Sequence, residues 1–391
     1  MGRAKTALIE SEERGWDAPE KFVCAECVED EFLKECIQRN LDCLKCDYCG
    51  QESDNPISTL VQHILEPISG ALFHYFAEPA GAGVPRDDGE WVGNMFDTFD
   101  VLESLPFYCN EESLFQDIVN SFHDWWWVEC ADGHWLGEHE STRWIWDWKF
   151  FENTIKTKTR YFFSDVSDEL SSFERGSSPI ILLNQIGRMA ERLGLYKCLP
   201  AETCLYRVRT TSGDKTFDSF DEMGPPPSCK ARSGRMNPIG ISYFYLACEK
   251  ETAIEEALNH SSCRGFIATF KPKQNLTILD LATLPNPPSV FDVDRYKDRQ
   301  AILFLSEFVH AISQPTNMKS NGEDIHYLPS QVVSEYFAQV CSTNREHGQI
   351  DGIVYPSTKE SGGKNVVIFP PRQHFTKWTD IVEICDIEQV N

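Results

Sequence analysis

At 391 residues the chain is long enough for two or three domains, each with its own core. It is 41% hydrophobic and 25% charged, the balance of a soluble globular protein, and no apolar run is long enough to span a bilayer. A formal net charge of -25 opposes non-specific binding to DNA or RNA, whose affinity comes mostly from neutralising phosphates, so nucleic acid is disfavoured as a partner.

The opening MGRAKTALIESEERG lacks an apolar signal core, which reads as a cytoplasmic protein. Fifteen cysteines, an odd number, fit reduced thiols plus a metal site better than a disulfide framework. Residues 20–52 carry two C-x-x-C knuckles, Cys24/Cys27 and Cys46/Cys49, with eighteen residues between them. Two such knuckles supply four thiolates for a tetrahedral zinc, so a structural zinc ribbon is expected. Cys36 and Cys43 lie between and are competing ligands, and free thiols flanking a helix over Glu29–Arg39 are the alternative. Four cysteine ligands leave no open position for water, so no catalysis is expected there.

Residues 53–165 read as mostly helical, with helices over Ile57–Phe76, Phe96–Leu105 and Glu112–Trp127 and a loop at Gly81–Gly89. Seven of the ten tryptophans fall between Trp125 and Trp148. Their neighbours Asp124, Glu129, Asp132, Glu138 and Glu140 are acidic, which favours a packed core or partner surface over base stacking. His134 and His139 lack the H-E-x-x-H spacing and read as loop histidines.

Residues 166–199 form a connection: a serine-rich linker over Asp165–Ser178, then an amphipathic helix over Ile180–Leu195 that ends at Gly194. In residues 200–375, Leu205–Arg209, Phe266–Phe270, Leu276–Leu279, Gly352–Tyr355 and Asn365–Phe369 read as strands. Arg295–Ile312 reads as a helix, and another begins at Pro329 with Ser330 as its N-cap. Strands and helices mix without βαβ alternation, so the fold class is multidomain α+β.

The centre of this half is Gly234–Ala257, GRMNPIGISYFYLACEKETAIEEA. Over Ile241–Ala247, Ser242, Phe244 and Leu246 alternate with Tyr243, Tyr245 and Ala247, the pattern of a strand. Thr252 and Glu255 have the form of a capping box, followed by a helix with an apolar stripe of Ala253, Ile254, Ala257 and Leu258. Glu255 and Glu256 fall on opposite flanks of that stripe, so periodicity does not choose between them.

The ordered set LYRVR, GRMNP-x-G, YFYLA, ETA-x-x-E and DGI-x-YPS resembles the RES domain. The ribbon, the helical segment and KTKTRYFF (Lys156–Phe163) are similar to the HEPN-class domain often joined to it. The resemblance implies an ADP-ribosyltransferase-like fold and an enzyme that consumes NAD, acting as a toxin or anti-phage defence effector with an inhibitor, antitoxin or sensor partner. It implies a catalytic set of Arg207, Arg235, Tyr245, Glu256 and Ser357, with Arg209, Tyr243, Asn237 and Asn365 as substrate contacts. Ser361 and Ser330 are weaker candidates for the family serine. The chain has no arginine with a histidine four to six positions later, the HEPN ribonuclease pattern, so RNA cleavage is disfavoured. The chemistry fits the residue types. Guanidinium groups match phosphates bidentately, and an anion beside the ribose stabilises the positive charge that develops as nicotinamide leaves. Water, inorganic phosphate or a macromolecule as acceptor would make the enzyme a glycohydrolase, a phosphorylase or an ADP-ribosyltransferase. A non-catalytic, zinc-containing nucleotide-binding protein is the rival, and self-association of the chain stays open.

Overall fold

The structure is a computed structural model that describes residues 14–122, 126–131, 133–161, 178–211, 214–257, 264–314, 325–341, 349–372 and 376–390. The expected linker before Ser178, and Leu258 of the apolar stripe, lie outside them. Contacts divide the chain into two units, Met1–Glu140 with Pro287–Gln300, and Ser141–Asn286 with Ala301–Asn391.

In the first unit β1 (Phe22–Cys24) leads into α1 (Glu31–Arg39). The Asp30 carboxylate caps that helix by accepting the Leu33 N–H at 3.1 Å, and Leu33 and Ile37 bury one turn apart. A helix was expected from Ile57, but Ser58–Leu60 is a strand, β2, antiparallel to β1. The second knuckle causes the change: the Ser58 N–H donates to Cys43 O, and its hydroxyl donates to Lys45 O at 2.6 Å. α2 (Gln62–Tyr75) follows, then β3 (Phe76–Ala77). The expected loop contains half of a small hairpin, β4 (Arg86–Asp87) and β5 (Glu90–Trp91). α3 (Thr98–Ser104) starts on the Asp97 carboxylate. α4 (Glu112–Ser121) ends well short of Trp127, because Trp127 exchanges backbone hydrogen bonds with Phe96. β6 (Val128–Glu129) pairs with β3. Trp127 is a core residue with its indole N–H on Thr98 Oγ1 at 3.0 Å, whereas Trp126 is exposed. His134 is exposed, and His139 Nδ1 stands 3.1 Å from the Tyr296 hydroxyl.

The second unit opens with α5 (Glu140–Thr157) and α6 (Pro179–Arg192). The sequence division put α5 in the helical domain. Its buried stripe Trp144, Trp148, Phe151 and Ile155 instead shares a core with Leu182, Phe304 and Phe308. Pro179 starts α6 and Gly194 stops it with a φ of +63°, a left-handed turn that other residues resist. Then come β7 (Tyr196–Leu199), β8 (Leu205–Thr211), α7 (Phe220–Met223), β9 (Phe244–Ala247), α8 (Lys250–Ala257), β10 (Arg264–Pro272) and β11 (Leu276–Asp280). α9 (Tyr296–Ser313), α10 (Leu328–Glu335), β12 (Gly352–Pro356), β13 (Lys364–Ile368), α11 (Trp378–Ile381) and β14 (Val382–Val390) complete it.

Among the described residues these strands form one eight-stranded mixed sheet in the order β14-β10-β8-β9-β13-β12-β11-β7. Only β11 and β12 run parallel. Its edges, β7 and β14, lie outside 200–375, so the sheet extends past that range at both ends. One face buries Leu205, Phe244, Phe270 and Ile368. The other buries Tyr243, Ile353, Tyr355 and Val367 in the core shared with α5 and α6.

Three local expectations are corrected. β9 begins at Phe244 rather than Ile241, because the Ser242 hydroxyl is drawn to Pro226 O. α8 starts at Lys250, so Thr252 caps nothing; its hydroxyl donates to Glu249 Oε2 at 2.9 Å, and Glu249 also accepts the Lys364 N–H. Ser330 lies inside α10 and is not its N-cap.

Candidate active site

The sheet has a seam. β8 pairs with β10 over Arg264–Phe270 and β9 pairs with β13 over four residues, but β8 and β9 meet only at Tyr206↔Ala247. Past that pair the strands part, and a cavity of about 220 Å³ opens between them and α8. Arg207, Tyr245, Glu256, Tyr355 and Asn365 line it.

Glu256 is the best-defined group. Its Oε1 accepts the Ser357 hydroxyl at 2.7 Å and the Asn365 side-chain N–H at 2.9 Å. Its Oε2 has no hydrogen-bond partner among the described residues. The register explains the grouping, since Asn365 stands opposite both Ala247 and Tyr355 and shares their face. Ser357 follows β12, and its oxygen also accepts the N–H groups of Lys359 and Glu360 at 3.2 Å. Lys359 Nζ reaches the Glu256 carbonyl at 2.8 Å and pins the end of α8. Glu255 is exposed, so the helix turns only Glu256 into the cavity. Ser361 is exposed in the turn before β13.

Tyr245 projects from β9 and spends its hydroxyl on the loop before it. The hydroxyl donates to Asn237 Oδ1 at 2.7 Å and accepts the Met236 N–H at 2.9 Å. Burial, then the neighbouring Tyr355, pushes its pKa well above the usual tyrosine range, so the hydroxyl stays neutral. Asn237 is itself buried, with its amide donating to the carbonyls of Arg232, Pro238 and Ile241. It therefore fixes the loop and does not line the cavity. Gly234 is required here: a Cβ would stand 2.5 Å from Asn237 Oδ1 and 2.9 Å from the Tyr245 hydroxyl. Tyr243 shares the Tyr245 face but is buried against Phe369, 5.2 Å between centroids, outside the cavity.

The two arginines of β8 lie on the opposite face from Tyr206 and Val208. Arg207 Nη1 donates to Gly224 O at 3.0 Å, and its guanidinium stands 5.5 Å from the Phe244 ring. Burial, reinforced by Arg209, draws its pKa down to about 9, still mostly charged at neutral pH. Arg209 Nη2 reaches the same carbonyl at 2.8 Å but lines a different cavity. Arg235 does not line the small cavity. Its guanidinium stands 5.9 Å from the ring of Tyr355, which does, and Nη1 donates to Ser313 O.

Two roles escape the sequence reading. Tyr355 lies two positions before Ser357 on β12 and so shares its side of the strand, a signal present in DGI-x-YPS but assigned to the serine alone. α10 holds the Arg235 loop from behind. The Ser330 hydroxyl donates to Arg235 O at 2.6 Å, Gln331 Nε2 to Gly234 O at 2.7 Å, and the Ser334 hydroxyl to Met236 O. No local pattern announces that pairing.

In the first unit Cys24, Cys27, Cys46 and Cys49 bring their sulfurs within 4.8 Å of one another, a group that can hold a metal ion. Neighbouring pairs are 3.5–3.6 Å apart, close to the edge of about 3.8 Å that zinc–sulfur bonds of about 2.3 Å impose on a tetrahedron. Cys36 and Cys43 are not in the group, nor are His134 and His139.

Family models match two stretches: HEPN/RES N-terminal domain 1 over residues 39–169 and the RES domain over residues 204–383. The chain is a RES domain protein with an N-terminal HEPN/RES-type domain. Comparison with curated proteins and with solved structures returns no match. RES domains are generally NAD-processing, and the 204–383 match contains every residue of the cavity. No helix among the described residues is long and apolar enough to cross a membrane.

Proposed function

We propose that this RES domain cleaves the nicotinamide–ribose bond of NAD. The observation that carries the reading is Glu256: one carboxylate oxygen is fixed by Ser357 and Asn365, and the other is left for substrate at the cavity wall. Breaking an N-glycosidic bond builds positive charge on the ribose carbon, and a pre-oriented anion stabilises that state more than the ground state. We assign Ser357 the role of orienting the acid: its hydroxyl donates to the carboxylate, and its oxygen already accepts the N–H groups of Lys359 and Glu360. Tyr245, its hydroxyl engaged elsewhere, offers its ring to the nicotinamide or ribose edge, and Tyr355 forms the adjoining wall. Arg207 has one of its donors on Gly224 and keeps the rest for a phosphate. The proposal keeps the ADP-ribosyltransferase-like fold that the resemblance implies, with the substrate entering where β8 parts from β9. Arg235, behind Tyr355, adds positive potential.

Zinc is our assignment for the cysteine group, held by Cys24, Cys27, Cys46 and Cys49 in a structural role. In the cell we read the protein as a cytoplasmic toxin or defence effector whose N-terminal part senses a trigger or binds an inhibitor. The purified chain is incubated with NAD, with and without inorganic phosphate, beside the Glu256→Gln variant, and the products are identified by mass. Free ADP-ribose marks a glycohydrolase, its 1-phosphate a phosphorylase, and a macromolecular adduct a transferase. NAD left intact in every arm, or equal turnover by Glu256→Gln, sinks the proposal.

A further inference from the structure

The helix that carries Glu256 is tied at both ends. Lys359 holds the last turn of α8 through the Glu256 carbonyl, and Glu249 holds the first. Glu249 is half-buried and stands just before the helix, with its carboxylate turned back over the first turn. Its Oε2 accepts the Thr252 hydroxyl at 2.9 Å and the Lys364 N–H at 3.0 Å. Lys364 opens β13, and its carbonyl accepts the Cys248 N–H at 2.9 Å, so residues 248 and 249 grip both backbone polar groups of one strand residue. The turn before β13 presses in as well. Thr252 is 1% exposed, and a Cβ on Gly363 would collide with its Oγ1.

Helix geometry says what this grip controls. Thr252 and Glu256 are four residues apart, so they lie on one face of α8, one turn apart. Lys364 is followed by Asn365, the residue that donates to Glu256 Oε1. The clamp therefore joins the two elements that carry the acid and its donor, at the residues next in line on each. A helix turns by about 100° per residue, so a slackened first turn lets the Glu256 carboxylate swing off Ser357 and Asn365. A carboxylate holding two donors is a stronger anchor than a neutral acceptor would be. Neither Glu249 nor Thr252 lines the small cavity, so any effect on the reaction passes through Glu256.

We infer that Glu249 is a positioning residue: through Thr252 and the Lys364 N–H it sets the rotation of α8 and so holds the Glu256 carboxylate to its donors during bond cleavage. This rests on the NAD reading of Glu256 and adds the device that orients it. Loosening such a contact leaves substrate binding by the rest of the site intact and lowers kcat.

Glu249→Ala in the full chain is compared with Glu249→Gln, whose amide oxygen can still accept both bonds. Glu249→Ala should lower kcat for nicotinamide release about 10- to 100-fold with KM within about twofold, and Glu249→Gln should recover most of that loss. In a Glu256→Gln background the alanine substitution should cost less than about twofold, because no carboxylate remains to be oriented. A residue that merely supports the fold would cost the same in both backgrounds. Thr252→Val keeps the volume and removes the hydroxyl, giving a smaller loss of the same kind should Glu249→Ala fold poorly. Hydrogen exchange supplies an arm free of NAD: Glu249→Ala should lose protection over 250–257 and at Lys364, with β10 unchanged. An equal cost in both backgrounds, a kcat within about twofold of wild type, or unchanged protection overturns the positioning role and leaves NAD cleavage standing. A wild type that cleaves no NAD, with protection lost as expected in the variant, sinks the catalytic reading instead and keeps Glu249 as the residue that fixes α8.

Discussion

The cysteine group takes its four sulfurs from residues 24 to 49, whereas the carboxylate cavity gathers its lining from positions between 206 and 365. The first is set by two tight knuckles and the short β1–β2 pair that brackets them. The second is set by strand register: a slip of one residue between β9 and β13 would turn Asn365 to the other face and leave Glu256 with one donor fewer. A locally built site fails by losing its own fold. A site assembled across a sheet fails by losing alignment while the fold survives.

The sharpest way to break this contrast is at the cysteines. Cys46→Ser or a strong chelator should release one metal per chain and unravel the β1–β2 region, because structural zinc contributes on the order of 10 kcal/mol to folding such modules. Native mass and hydrogen exchange check it, with protection lost around 22–60 and kept in β10 and β13. Next comes Glu256→Gln, which should cost about 100- to 1000-fold in nicotinamide release with an unchanged melting temperature. A variant that loses its fold instead would mean the carboxylate is structural.

Alkaline pH probes the sheet as a whole. Burial raises the pKa of Tyr243, Tyr245 and Tyr355 above the unfolded value of about 10, so their contribution to stability is complete below that pH. It is lost as pH rises through the folded values, and thermal melts above about pH 10 should show the decline. Ser334→Ala removes one of the three ties on the Arg235 loop, at a cost of about 1–3 kcal/mol, and nicotinamide release should fall with it. Rescue by Ser334→Thr would distinguish the hydrogen bond from packing. Smallest of all, Glu255→Gln should stay within about 0.5 kcal/mol in stability and leave turnover alone, which separates it from its neighbour in a single assay.

Much of this was legible in the chain. The knuckles, α6 with its glycine stop, and the strands around Arg207, Tyr245 and Asn365 follow from spacing and periodicity that local forces enforce. The misreadings share one cause. Ser58–Leu60 continues an apolar helical pattern but is claimed by β1, Trp127 is claimed by Phe96, and Thr252 loses its capping role to the side chain of Glu249. In each case a partner distant in sequence, or a neighbour already engaged elsewhere, offered a better hydrogen bond than the local pattern did.

The sequence by itself determined which chemical groups the protein carries and how closely the two thiols of each knuckle approach, because a few residues of backbone between two cysteines fix that distance. Periodicity did not choose between Glu255 and Glu256, and the resemblance alone pointed to Glu256, to Asn237 as a substrate contact and past Tyr355. The tertiary structure adds where these side chains stand. Which of two adjacent glutamates meets Ser357 and Asn365 depends on how α8 lies on the sheet, and the cavity exists because β8 and β9 part after a single pair. Packing and register act between residues far apart in the chain, and no window of sequence contains both sides of such a contact.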